Sequence, residues 1–205
     1  MGVVADTHCP EFLDRLPGRL LELLQGVDLI LHAGDVGGPD GMRTIAELER
    51  IAPVEAVRGD HDRALSLPPA RSLQIAGRRV ALVHGNRGRW IEEPVTLLGT
   101  LSLGLLWPTS GLHGWLRRRF PAADVIVYGH THAPRLARTG GTLIFNPGAV
   151  YQVTPERAAE RLLRRPGWFE WSWLQVIRHR RRWPAPSVGI LTFSDDRVDA
   201  QILPL

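Results

Sequence analysis

The segment Val3-Val4-Ala5-Asp6-Thr7-His8 decides how this chain is read. An apolar triplet, the signature of a strand buried on both faces, runs straight into a carboxylate, a hydroxyl and an imidazole. The arrangement recurs in order. Leu29-Ile30-Leu31 leads to Gly34-Asp35, and the run 54–57 leads to Gly59-Asp60-His61-Asp62. Val80-Ala81-Leu82-Val83 leads to His84-Gly85-Asn86, and 124–128 leads to Gly129-His130-Thr131-His132. Strands that end in Asp and His deliver them to one edge of a sheet, and in open α/β sheets ligands bind at the carboxyl ends of the strands. Packing gives no reason to put so many ionisable groups there.

Three carboxylates (Asp6, Asp35, Asp60) and four imidazoles (His8, His84, His130, His132) make a mixed oxygen and nitrogen donor set. Such a set suits borderline divalent ions (Mn, Fe, Co, Ni or Zn) and suits an all-oxygen Mg or Ca cage poorly. Seven donors exceed the needs of one tetrahedral ion and match two ions sharing a bridging carboxylate. Two ions roughly 3.5–4 Å apart can activate a bridging hydroxide and clamp the oxygens of an in-line phosphoryl displacement. Hydrolysis of a small-molecule phosphate ester is the expected reaction, with two divalent ions the expected cofactors, Mn²⁺ first and Fe, Ni, Co or Zn as alternatives.

On these motifs the chain resembles the calcineurin-like metallophosphoesterases, and among them the small single-domain bacterial and archaeal phosphodiesterases. The family pattern D-x-H, GD, GN-x-[DE], HG and GH-x-H runs from Asp6 to His132, and Asn146-Pro147-Gly148 looks like its closing turn. The resemblance implies an αββα sandwich of two mixed β-sheets flanked by helices. It implies one metal held by Asp6, His8, Asp35 and His132, and a second held by Asp35, Asp60, His84 and His130, with Asp35 as the bridge. It also implies that His61 protonates the leaving group or stabilises the transition state. The superfamily includes hydrolases of a lipid-linked nucleotide pyrophosphate and a retromer subunit that works by protein contact. A lipid-linked substrate and a non-enzymatic scaffold are therefore the alternative functions.

The chain departs from the family pattern at three functional positions. Asp60 stands where Asn is usual, so two divalent ions would be balanced by three carboxylates and a hydroxide. Tighter metal binding and a preference for diesters over monoesters are expected from that neutrality. The larger phosphatases carry an Asp three residues after the bridging one; here that residue is Gly38, which leaves Asp40 or Asp62 to support His61. Asn86 takes the place of a second His. Arg58 and Arg87, each beside a motif, are the candidates for pairing with substrate phosphate. His32 is expected in the core or behind the ligands, and Asn146 is expected to shape its turn.

With 205 residues, 44% hydrophobic and 22% charged, the chain fits one globular domain over 1–205. The first motif follows Met1 so closely that a short first strand is expected; no signal peptide is read, and the short lead-in suggests an upstream start codon. The longest apolar stretch, 95–107, is too short to span a bilayer. Cys9 is the single cysteine, which excludes an intramolecular disulfide. A cytoplasmic protein, at most peripheral to the inner face of the membrane, is expected. Helices are expected over 12–24, interrupted at Pro17, and over 42–51. Strands are expected at 72–75, 80–83, 135–138, 142–145, 188–193 and 198–203, with tight turns at Gly77-Arg78, Gly140-Gly141 and Asp195-Asp196.

Two segments, about 87–120 and 151–186, are extra to a compact family member and hold every tryptophan: Trp90, Trp107, Trp115, Trp168, Trp171, Trp173 and Trp183. Arginines interleave with them, including Arg117, Arg118, Arg119 and the run 180–182. One reading is a packed helical cap or homodimer surface. A second is a lid that faces a membrane or grips lipid, since Trp and Arg together favour the bilayer interface. Nucleic-acid binding is the third, and a net charge of only +4 weighs against it.

Overall fold

The computed structural model describes residues 1–102, 111–179 and 184–205. The first half runs β1 (Gly2–Val4), α1 (Gly18–Leu23), β2 (Ile30–His32), α2 (Met42–Leu48), β3 (Val54–Ala56), β4 (Ala70–Ile75), β5 (Arg78–Val83) and α3 (Arg89–Leu101). The second runs α4 (Leu112–Arg119), β6 (Val125–Val127), β7 (Arg135–Thr139), β8 (Thr142–Asn146), α5 (Pro155–Leu163), α6 (Trp168–His179), β9 (Ser187–Phe193) and β10 (Val198–Pro204). One sheet has the order β10-β9-β1-β2-β3 and the other β4-β5-β6-β8-β7. In the first sheet β1, β2 and β3 are parallel, with β3 at one edge and the antiparallel β9–β10 hairpin beyond β1; in the second the inner strands β5, β6 and β8 are parallel, with β4 and β7 as antiparallel edges.

Alternation along the strands explains the layers, because successive side chains point to opposite faces. Val3, Ala5 and Leu31 of the first sheet meet Val80, Leu82, Val125, Val127 and Phe145 of the second in one core. The intervening Val4 and Ile30 face outward onto Leu16, Leu20, Leu24 and Leu48 around α1 and α2. Ala81, Val83 and Ile126 face outward onto Leu112 and Leu116 of α4. The inner strands are apolar on both faces because each face is covered, whereas the edge strand β7 is largely exposed. This is the expected αββα sandwich.

Local differences have local causes. The segment 12–24 is divided at Pro17, as its sequence suggested, into a turn and a helix that begins at Gly18, with Pro17 extended at the N-cap. Freed from that helix, Phe12 and Leu13 pack against Tyr151 and the α5–α6 pair. The helix expected over 42–51 ends at Leu48, and 49–51 continue as a turn.

The tryptophans divide. Trp115 of α4 packs against the cluster beneath that helix with the Arg119 guanidinium 5.2 Å from its ring, and Trp173 packs against the α5–α6 cluster. Trp90, Trp168 and Trp171 are exposed. Trp107, Trp183 and the arginine run 180–182 lie outside the described residues, as do the side chains of Phe169 and His179. Among the described residues no helix is long and apolar enough to cross a membrane.

Candidate metal centre

The parallel strands of both sheets end on the same side of the sandwich, and all seven expected ligands meet there. Five of the seven, Asp6, His8, Asp35, His130 and His132, hold positive φ between 46° and 68°. That region costs a non-glycine residue about 1–2 kcal/mol, and such strain is typically kept where a side chain must be aimed. The glycines of the motifs serve close approach. A Cβ on Gly59 would lie 2.1 Å from Asp35 Oδ1, and one on Gly34 would lie 2.7 Å from His84 Nδ1.

The donors form two clusters. Asp6, His8 and His132 present ligand atoms within 4.8 Å of one another, and so do Asp60, His84 and His130. Asp35 stands between them, its Oδ2 lying 3.7 Å from His8 Nε2 and 3.3 Å from His84 Nε2. Its Oδ1 accepts the backbone N–H of His61 at 2.9 Å. His84 donates from Nδ1 to the Ala33 carbonyl at 2.9 Å, which turns Nε2 toward the cluster. That Nε2 and Asp6 Oδ2 are buried without a hydrogen bond. Buried polar atoms without partners are costly. Both point into the space that a cation would fill, so the donor set fits divalent metal.

The electrostatics agree. Burial disfavours a charged His84 ring, yet Asp35, Asp6 and Asp60 carry its pKa up to about 10. Burial also opposes charge on His130, but hydrogen bonds to Asp60 and Glu92 raise it to about 9. Burial lifts the Asp6 carboxyl to about 6. Burial would raise Asp35 too, but His84 and His8 hold it well below the usual carboxylate range. Carboxylates converge so closely that the site draws positive charge inward.

Behind the donors stand partners that no motif announced. Glu11 places Oε1 2.9 Å from His61 Nδ1 and Oε2 3.4 Å from His8 Nδ1. Glu92, in the first turn of α3, places Oε2 3.5 Å from His130 Nε2. Its Oε1 accepts from Arg87 Nε at 2.9 Å and from the Arg87 backbone N–H at 3.0 Å. The Arg87 guanidinium, expected at substrate phosphate, is thus engaged with Glu92. Arg58 has an exposed side chain, and its backbone N–H donates to Pro68. A lone acid within one turn of a motif histidine was the only sequence signal for Glu11, and for Glu92 there was only its place five residues after Arg87.

The support offered to His61 by Asp40 or Asp62 is corrected. Asp40 is exposed and lies 3.9 Å from Arg43. Asp62 is fully buried and accepts the backbone N–H groups of Val36, Gly37 and Gly59 at 2.9–3.3 Å, locking the two Asp loops together. His32 takes the Gly34 N–H on Nδ1 and meets Thr7 Oγ1 at 2.9 Å, and Thr7 donates in turn to the Val36 carbonyl. Asn146 donates to the Gly129 carbonyl and accepts the Gly148 N–H, shaping its turn as expected.

Comparison with known proteins places this geometry in a family. Residues 1–163 match the model of the calcineurin-like phosphoesterase superfamily domain. A probable metallophosphoesterase of Methanothermobacter thermautotrophicus is 35% identical over 152 residues, covering 73% of this chain and 76% of its own. One of Methanocaldococcus jannaschii is 31% identical over 149 residues, covering 73% and 67%. Among solved structures, Vps29 of Entamoeba histolytica complexed with Zn²⁺ shares the fold with a TM-score of 0.62 at 19% identity, covering 98% of this chain and 97% of its own. An archaeal phosphodiesterase shares it with a TM-score of 0.55 at 18% identity, covering 98% of each chain. The chain belongs to the calcineurin-like phosphoesterase superfamily.

Proposed function

We propose that this protein hydrolyses a phosphodiester with a dinuclear centre, one ion held by Asp6, His8, Asp35 and His132 and the other by Asp35, Asp60, His84 and His130. The observation that carries the reading is the convergence of two His/Asp clusters on Asp35, with Asp6 Oδ2 and His84 Nε2 buried and unsatisfied between them. Bound there, divalent ions, Mn²⁺ foremost, supply Lewis-acid polarisation of the phosphoryl oxygens and lower the pKa of the attacking water. Asp35 fixes the spacing of the clusters and, through Oδ1, the backbone of His61. His61, partly exposed beside them, gives a proton to the leaving oxygen. A diester monoanion suits the site better than a monoester dianion, because Asp60 removes positive charge that the family's usual Asn would leave in place.

The exposed face of α3 favours an amphiphilic substrate or a membrane surface. Trp90, Ile91, Leu97, Leu98 and Leu101 recur at helical spacing and are solvent-exposed, Trp90 at 95%. Glu92 of the same helix reaches His130. Co-sedimentation with anionic vesicles, lost on replacing Trp90 and Leu98 by Ser, tests this; unchanged co-sedimentation, or none in the parent protein, refutes it.

The test of the activity is hydrolysis of bis-p-nitrophenyl phosphate by chelator-stripped protein before and after adding Mn²⁺, beside an Asp35→Asn control. Activity that needs metal and disappears in the control supports the reading. Inactivity with Mn, Ni, Co and Zn alike would favour a scaffold that kept its ligands.

A further inference from the structure

Glu11 lies in the loop after β1, and its carboxylate bridges two imidazoles that serve different ends. Oε1 is 2.9 Å from His61 Nδ1 and Oε2 is 3.4 Å from His8 Nδ1. Each ring is met at Nδ1, which fixes the tautomer and leaves Nε2 for work elsewhere. For His8 the free Nε2 faces Asp35 Oδ2 at 3.7 Å. His61 is held a second time, through its backbone N–H to Asp35 Oδ1. The two rings stand edge to face with centroids 4.7 Å apart, and Phe12 packs against both.

The place of the carboxylate is as informative as its partners. A side chain begun at Gly38, three residues after Asp35, would start 3.5 Å from the Glu11 carboxyl carbon and 3.6 Å from Oε2. Glu11 therefore fills from the β1 loop the ground that an acid at position 38 would reach. The carboxylate at this place comes from the β1 loop, and position 38 supplies none.

We propose that Glu11 is a positioning residue, holding His61 for proton donation to the leaving oxygen while holding His8 toward the metal centre. The inference rests on the phosphodiesterase reading. In the step concerned, water oxygen bonds to phosphorus and the bond from phosphorus to the leaving oxygen breaks. The Nε2 proton of the His61 imidazolium passes to the leaving oxygen, and the proton released by the water restores the ring through solvent. Glu11 carries the compensating charge at Nδ1 throughout.

The test compares Glu11→Ala with the parent protein, both reloaded with Mn²⁺, on two diesters. Bis-p-nitrophenyl phosphate releases a stable anion that needs little protonation; diphenyl phosphate releases a more basic one. The expected result is a fall in kcat of about 100-fold on diphenyl phosphate against about threefold on the activated ester, since positioned proton transfer contributes at least that much. Equal losses on both esters would overturn the proposal, as would a loss explained entirely by lower bound Mn²⁺. A second readout needs no turnover: long-range ¹⁵N–¹H spectra of the imidazole rings in metal-free protein, at a pH where His61 is neutral. The proton of His61 is expected on Nδ1, moving to Nε2 in Glu11→Ala; a parent ring already protonated at Nε2 would overturn the assignment. If the parent protein cleaves neither ester, the phosphodiesterase reading fails and the ring spectra decide the role of Glu11 by themselves.

Discussion

Asn86 donates its side-chain amide to Asp60 Oδ1 at 2.7 Å. Two of the residues that stand apart from the pattern the chain resembles are thus each other's partners. The carboxylate is oriented by a neutral donor, and its other oxygen, 3.3 Å from His130 Nδ1, is left to the cluster. Replacing Asp60 by Asn should weaken Mn²⁺ binding at least about tenfold and strengthen inhibition by inorganic phosphate. Calorimetric titration and phosphate inhibition of the two proteins check this. Equal values for both would contradict it.

Arg87 and Glu92 form a second supporting pair, behind His130. Burial would raise the Glu92 carboxyl, but His130 and Arg87 hold it down to about 2. Glu92→Gln and Arg87→Ala should each weaken Mn²⁺ binding by about tenfold, the lower end of what outer partners of metal ligands contribute. A rise in KM alone in Arg87→Ala, with metal affinity intact, would return Arg87 to the phosphate-binding role first expected of it.

Asp62 should matter for stability more than for chemistry. Its buried carboxylate satisfies N–H groups from the loops that carry Asp35 and Asp60. Removing it strands those donors, at about 1–3 kcal/mol for each left unsatisfied. Urea unfolding of metal-free Asp62→Ala should therefore show a loss of about 3 kcal/mol or more. A loss below about 1 kcal/mol would contradict the assignment.

His32 gives the metal-free protein a pH dependence of definite sign. Burial, against the pull of Asp62 and Asp35, lowers its pKa from 6.5 to about 4. Below 6.5 the unfolded ring takes up a proton that the folded ring refuses, so stability falls as pH drops toward 4, by at most about 1.4 kcal/mol per pH unit. Unfolding free energies at pH 7 and pH 5 should differ less in His32→Gln than in the parent protein. An unchanged difference would assign the acid sensitivity elsewhere.

The strands and the gathering of the seven Asp and His residues at their ends were legible in the sequence because two signals coincide in them. An apolar run fixes the strand, and the first polar residue past its end can only lie at the sheet edge. Hairpins such as β7–β8 were legible for the same reason: Gly140-Gly141 sits between two β-rich runs. Glu11 and Glu92 were not legible. Each is a single acid whose meaning depends on which histidine the fold brings beside it, across 50 residues for Glu11 and His61. Asp62 was visible but misassigned, because sequence proximity to His61 suggested a side-chain partner where the fold uses it as an acceptor for backbone. Phe12 shares the helical spacing of its segment; Pro17 divides that segment, and the ring instead packs 5.3 Å from Tyr151 beneath the Arg161 guanidinium.

The central claim is that Asp35 joins two metal positions into one centre. The most direct measurement is Mn²⁺ titration of chelator-stripped protein, followed by calorimetry and by electron paramagnetic resonance. The account predicts two ions per chain, with the exchange-coupled signal of a bridged pair, and loss of that coupling in Asp35→Asn. Saturation at a single ion, or a signal of isolated ions that Asp35→Asn leaves unchanged, would contradict it.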